Sequence, residues 1–289
     1  MNMCNEKKVI SPIPKEIHLF WFGKGEKSEV IRKCIKSWEK YAPDYKIIEW
    51  TEDNFDVNFC ERSRKAYIQG KWAFVADIAR LKVIFERGGV YLDTDVELIA
   101  PLDDLLKETN SAETFFLFLN ERFIGTGAGF GAVKDSQVIG HLLNNYLNMD
   151  FDFKHGIFNK VCTQIETEAL EDYYGDFKRN NNTQIMEDNT VILSTSVWNR
   201  FSIHHGTGTW VDGGRKDDME VKHQNLTKLK ERIRKPEYFI WIRKHFGRKS
   251  EYIYEFLTYD LIDMGFVYFF KRFLKKLRKR FKTRGSNND

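Results

Sequence analysis

Between Ile17 and Trp50 the chain runs through a short apolar strand, an amphipathic helix and a second strand, and few folds accept that order. The run Ile17-His18-Leu19-Phe20-Trp21-Phe22 follows Pro12 and Pro14 and enters Gly23 and Gly25, so it reads as a buried strand closed by a turn. Ser28 supplies an N-cap for a helix to about Tyr41, with Val30, Ile31, Cys34, Ile35 and Trp38 on one face. Pro43-Asp44 then turns the chain into a strand from Tyr45 to Trp50. Two strands joined by a helix within about 35 residues pair in parallel, because only a crossover connection brings the second beside the first. The expectation is an α/β domain with a mixed, mainly parallel central sheet.

Downstream the pattern continues. Phe74, Ile78, Leu81, Ile84 and Phe85 recur at helical spacing from Trp72 to Arg87, and Gly88-Gly89 ends that helix. Val90-Tyr91-Leu92 is a short strand running into Asp93-Thr94-Asp95, and Val96 to Ile99 resumes as a strand until Pro101. Phe115 to Leu119 and Thr190 to Leu193 read as further strands, and Gly125 to Gly131 as a loop. Ser202 to Trp210, rich in His, Gly and Thr, has the composition of a loop at a site. After about Lys222 the pattern changes to charged helices. The domain reading is therefore 1–222 for the α/β unit and 223–289 for a helical extension.

Asp93-Thr94-Asp95 is the sharpest chemical signal. Two carboxylates one residue apart at a strand end can turn both oxygens toward one hard cation, of which Mn²⁺ and Mg²⁺ are the usual examples. Such an ion stabilises negative charge building up on a departing diphosphate. Most Asp-x-Asp pairs are ordinary acidic turns; this one lies behind a buried strand and a double glycine. Asp77 and Arg80 lie three apart on the preceding helix, suited either to holding sugar hydroxyls and phosphate oxygens or to a plain surface ion pair. Trp21 ends the first strand, where ligands of open α/β sheets gather; stacking on a base and core packing are equally open. Either His204 or His205 can complete a metal shell or meet a diphosphate, and either can be structural.

The net charge of +4 comes from one place, since residues 271–284 hold nine Lys or Arg and no acid. A nucleic-acid partner is therefore not expected from the overall charge. In the last segment Phe266, Phe270, Phe273, Leu274, Leu277 and Phe281 keep three-and-four spacing among those cations. A helix so patterned suits an anionic membrane surface, or else docks on its own domain. Met1 to Lys8 is polar, and no run of about 18 apolar residues occurs. A cytoplasmic protein, peripheral on the inner face of the cell membrane, is expected. Cys4, Cys34, Cys60 and Cys162 are scattered without a Cys-x-x-Cys pair, which excludes a zinc site of that kind.

Together Ile13-Pro14-Lys15, Ile17 to Gly23, Ala76-Asp77-Ile78-Ala79-Arg80, Gly88 to Asp95 and His204 to Trp210 resemble glycosyltransferase family 32, which includes transferases of capsular polysaccharide synthesis. The core is also similar to that of the large clostridial glucosylating toxins. The resemblance implies a GT-A fold, Mn²⁺ or Mg²⁺ dependence, a nucleotide-sugar donor and retention of anomeric configuration. A glycan acceptor is expected with it, and the basic last segment would suit a lipid-linked saccharide. By position it implies catalytic roles for Asp77, Arg80, Asp93 and Asp95. Donor contacts would come from Phe20, Trp21, Asp77, Arg80, Tyr91, Asp93, Thr94, Thr209 and Trp210. Trp21 would stack on the base and Tyr91 close the pocket. Metal ligation would fall to Asp95, with Asp93 on ribose or a metal-bound water, and to His204 or His205. Where the family has Gly-Ser-Trp, this chain has Gly208-Thr209-Trp210, which keeps the hydroxyl.

Two other readings compete. Gly127-Ala128-Gly129-Phe130-Gly131-Ala132 formally matches a dinucleotide-binding Gly-x-Gly-x-x-Ala, which requires a helix to start there. A non-catalytic peripheral membrane-binding protein would work through the basic C-terminal segment alone and would not need Asp95.

Overall fold

The computed structural model describes residues 12–149 and 162–206. Its first three elements are β1 (Glu16–Phe20), α1 (Glu29–Tyr41) and β2 (Lys46–Trp50), with β1 and β2 parallel and Ile17 opposite Ile47. Ser28 Oγ accepts from the Ile31 N–H and begins α1, whose buried face carries Ile31, Cys34 and Trp38. Both the parallel pairing and the cap follow from the sequence pattern.

Next come α2 (Glu61–Ile68), α3 (Trp72–Arg87), β3 (Gly89–Tyr91) and β4 (Val96–Leu98), then α4 (Leu102–Glu108), β5 (Thr114–Leu117) and β6 (Phe130–Ala132). The described residues end with α5 (Gln137–Asn148), α6 (Cys162–Tyr173), β7 (Gln184–Ile185), β8 (Thr190–Leu193), α7 (Thr195–Trp198) and β9 (Ser202–His204). Seven strands form one sheet in the order β2-β1-β3-β6-β5-β8-β7, and β4 pairs with β9 in a small second sheet. In the large sheet β6 and β7 run against the other strands, so the sheet is mixed and mainly parallel, as expected.

The sheet corrects one sequence expectation. Gly125 to Gly131 reads as a loop, yet Phe130 to Ala132 is the strand β6, inserted antiparallel between β3 and β5. Gly131 permits the insertion, since a Cβ there would lie 2.6 Å from Phe115 Cε1 and 2.9 Å from the Gly89 carbonyl. A strand in that place also removes the dinucleotide reading, which needs a helix opening at the glycines. α2 and α4 were not anticipated, being short and interrupted by charge. The boundary at 222/223 and the basic C-terminal segment lie outside the described residues. No helix of the described residues is long and apolar enough to cross a membrane.

Period-two alternation sorts the side chains to the two faces of the sheet. Ile17, Leu19, Val90, Leu92, Phe115 and Leu117 pack on one side with Trp38 of α1. Phe20, Tyr91, Phe116 and Phe130 pack on the other with Phe74, Ile78, Leu81 and Ile84 of α3. That second side is where the chemistry gathers, because the pleat directs Tyr91, and Asp93 two residues later, toward α3.

The turn from α3 into β3 explains the double glycine. Gly88 and Gly89 have φ of 72° and 101°, a region that side chains disfavour. A Cβ on Gly89 would also lie 2.8 Å from both the Glu16 carbonyl and His18 Nε2. His18, fully buried, lies 3.0 Å through Nε2 from the Gly88 carbonyl and accepts the Trp50 Nε1–H at Nδ1. The proton therefore sits on Nε2. Burial pulls its pKa down to about 4, so the ring is neutral at pH 7 and acts as a strut under the turn.

Candidate functional site at the end of β3

Asp93 stands just past β3, anchored by its N–H to the Gly127 carbonyl (3.2 Å) and by its own carbonyl, which accepts the Val96 N–H (3.0 Å). This tight turn places Thr94, half-buried, between the two aspartates and delivers Asp95 to the start of β4. β4 pairs antiparallel with β9, Val96 opposite His204. The pairing brings His204 Nε2 to 3.2 Å from Asp95 Oδ1. One ligand atom from each of Asp93, Asp95 and His204 lies within 4.8 Å of the others. Two carboxylates and an imidazole are a donor set that suits Mn²⁺ or a similar divalent ion, so the residues fit the cofactor the sequence implies.

The register also separates the two histidines. His205 donates its backbone N–H to the Asp95 carbonyl at 3.0 Å, but its ring lies 2.9 Å from Glu97 Oε2. Glu97 in turn meets Lys33 at 3.1 Å. β9 ends at His204, and it is this ring that is aimed at the aspartates. Burial works against a charge on His204, but the hydrogen bond and charge of Asp95 outweigh it and raise its pKa.

Beneath the aspartates lies a buried ionic cluster centred on Arg80, which is 2% exposed. Its Nη2 is 2.9 Å from Asp77 Oδ1 and 3.0 Å from Glu166 Oε1, while Nη1 is 3.8 Å from Asp93 Oδ1. Its guanidinium also lies 5.5 Å over the ring of Tyr91, whose hydroxyl donates to Asp93 at 2.5 Å. The pair Asp77–Arg80 is thus no solvated surface bridge. α3 is covered on all but its edge, burying nine residues from Phe74 to Ile84. Burial opposes the charge on Arg80, but Asp77 and Glu166 hold its pKa well above normal. Burial likewise raises the pKa of Asp77, Asp93 and Glu166, with Arg80 opposing the rise in each.

Trp21 follows β1 and is tied by its N–H to the Trp50 carbonyl and by Nε1 to the Gly25 carbonyl (2.6 Å), with Lys27 Nζ 5.2 Å over its ring. It is half-buried and leaves part of its surface at the C-terminal edge of the sheet. Phe20 is buried against Phe22, Trp50, Phe55 and Tyr91, so it backs Tyr91 within the core. Thr209 and Trp210 lie outside the described residues.

Sequence reasoning missed Glu166, Thr126 and Gly127. Glu166 is fully buried and holds Arg80; Thr126 donates to it at 2.7 Å. Gly127 lies so near Asp93 that a Cβ would meet its Oδ2 at 2.6 Å. One signal was available: Glu166 shares the apolar face of its helix with Ile165, Ala169 and Leu170, where a free carboxylate does not belong.

Comparison with known proteins bears on this geometry. Residues 28–112 match the family described as a glycosyltransferase sugar-binding region containing a DXD motif. The matched stretch contains Asp77, Arg80, Asp93 and Asp95, so the class defined by match and site together is that of glycosyltransferases with a DXD sugar-binding region. No curated protein matches the chain. Among solved structures, the chain is similar to one titled PaToxG glycosyltransferase, with 18% identity and a TM-score of 0.43 over 56% of this chain and 70% of that one. Another is a glycosyltransferase involved in the glycosylation of the major capsid of PBCV-1, with 13% identity and a TM-score of 0.37 over 66% and 94%.

Proposed function

We propose that this chain is a metal-dependent, retaining glycosyltransferase of GT-A type and of the family 32 kind. It moves a hexose from a UDP-sugar to a glycan acceptor in surface polysaccharide synthesis. The observation that carries the reading is the convergence of Asp93, Asp95 and His204 within 4.8 Å, directly above the buried Asp77–Arg80 pair. Asp93, Asp95 and His204 would hold Mn²⁺, which would supply positive charge for the leaving diphosphate. Trp21, half-buried beyond β1, offers the open part of its ring to the base. Asp77 accepts from sugar hydroxyls, and Arg80 directs its cation toward the sugar and phosphate oxygens. Tyr91, through its hydroxyl on Asp93, holds that carboxylate at a fixed angle.

In the reaction, the bond from the anomeric carbon to the β-phosphate oxygen breaks and its electron pair leaves with the diphosphate. The acceptor hydroxyl oxygen forms the new bond on the same face. Its proton passes to the departing diphosphate oxygen, so no enzyme nucleophile is required. Preorganised charge at the leaving group is the main catalytic contribution.

The test is a thermal-shift panel of nucleoside diphosphates with and without Mn²⁺. UDP is expected to raise the melting temperature only when Mn²⁺ is present, by the mass-action stabilisation of a bound ligand. Absence of a shift with every nucleotide and Mn²⁺ would remove the donor-site reading.

For the acceptor we infer a lipid-linked saccharide at the inner face of the cell membrane, because the cations of residues 271–284 surround Phe273, Leu274, Leu277 and Phe281 at three-and-four spacing. The full chain is expected to sediment with anionic vesicles, and a chain ending at Asp263 to remain in solution. Equal sedimentation of both would sink the membrane reading.

A further inference from the structure

Both oxygens of Glu166 on α6 are occupied. Oε1 accepts from Arg80 Nη2 at 3.0 Å and from the Tyr146 hydroxyl at 3.1 Å, and Oε2 accepts from Thr126 Oγ1 at 2.7 Å. The adjacent Thr167 Oγ1 accepts the Ile124 N–H at 3.0 Å. Two consecutive residues of α6 therefore clamp the segment Ile124 to Thr126. That segment continues into Gly127, whose carbonyl holds the Asp93 N–H and whose bare Cα packs on the Asp93 carboxylate. Glu166 thus controls two things at once, the orientation of a guanidinium and the loop beneath Asp93.

A second carboxylate on Arg80 has a mechanical consequence. Asp77 and Glu166 share Nη2, which leaves Nη1 as the end facing Asp93. Without Glu166 the guanidinium would be drawn toward Asp77 and Asp93 alone. It would then compete for the carboxylate that the divalent ion needs. Arg62, whose guanidinium lies 5.2 Å over the Tyr146 ring, supplies a second cation to the far side of the cluster.

We propose that Glu166 is a positioning residue for the transfer reaction. It fixes Arg80 and the Thr126–Gly127 segment against Asp93, so that the donor sugar meets a rigid cation at a set distance from the metal ligands. This assignment rests on the glycosyltransferase reading of the site. Its partners are the hydrogen-bond donors of Arg80, Tyr146 and Thr126, so it acts through Arg80 and the Thr126–Gly127 segment.

Glu166→Gln is the informative change. The amide oxygen still accepts from Arg80 and Tyr146, and the amide N–H donates to Thr126, whose hydroxyl reverses its role. Charge is lost while shape is kept. UDP with Mn²⁺ should bind within about threefold of wild type, while kcat for UDP release from the UDP-sugar that the wild type uses falls by about 30-fold, the scale of a sub-ångström misplacement. In an Arg80→Lys background the same change should cost less than about threefold, because the group it positions is already altered. Thr126→Val, which leaves the Arg80 contact in place, should reduce kcat by about tenfold through the loop alone. A wild-type rate in Glu166→Gln, or its full cost persisting in the Arg80→Lys background, overturns the assignment. If the wild type itself binds no nucleoside diphosphate with Mn²⁺, the donor-site reading fails first and the positioning role falls with it.

Discussion

Asp95→Asn should fold like the wild type and lose metal-dependent transfer by about a thousandfold, the scale of removing a ligand that keeps charge on the leaving group. The structural reason for intact folding is specific. What holds Asp95 in place is mainly backbone, its carbonyl accepting the His205 N–H. The following residue, Val96, is paired with His204 in the β4–β9 ladder. An asparagine keeps both and loses the carboxylate charge toward His204 and the ion. The companion comparison is between histidines. His204→Gln should weaken Mn²⁺-dependent stabilisation by UDP, whereas His205→Gln should leave it nearly unchanged, because that ring is engaged with Glu97. Full activity in Asp95→Asn, or equal effects at the two histidines, would contradict the ligand assignment.

How far the sequence carried the fold depends on whether each element is defined locally. α3 occupies Trp72–Arg87, as its spacing predicts, because apolar periodicity and a glycine stop are both properties of contiguous residues. Ser28 capping α1 is equally local. β6 is the contrary case. In Phe130-Gly131-Ala132 only the phenylalanine favours a strand, and the segment becomes one because β3 and β5 leave a gap that a side-chain-free residue fits. Nothing in three residues announces a partner on either side.

The site divides in the same way. Asp93 and Asp95 were visible as a pair, since one tight turn holds both. The choice between His204 and His205 was not, since it is set by the pairing of Val96 with His204 across 108 residues of chain. Glu166 was further out of reach, 86 residues from the arginine it holds. A lone acid on the apolar face of a helix says that a buried cation exists somewhere; it does not say where.

Replacing Arg80 with leucine should produce the largest loss of stability at this site, about 3–5 kcal/mol, because it strands buried carboxylates without their cation. Three are affected: Asp77, Glu166 and Asp93, each of which already has a pKa raised by burial and restrained by Arg80. Leucine removes the restraint, so their folded-state pKa values climb further above those of the unfolded chain. The sign follows from proton linkage. A carboxylate with a raised folded pKa contributes stability that is present below its unfolded pKa and lost as pH rises through the folded value. The deficit of Arg80→Leu should therefore be small in acid and widen as pH rises toward 8. Urea denaturation of both proteins at pH 5 and pH 8 measures it. A larger deficit at pH 5 than at pH 8 would mean that the cluster is not held by charge pairing on Arg80. Glu166→Leu in the same background removes one stranded carboxylate, and should restore part of the stability lost at pH 8 without restoring transfer. That split separates the two duties proposed for the cluster: its summed charge would set stability, while the guanidinium, held at the right angle, would serve the sugar.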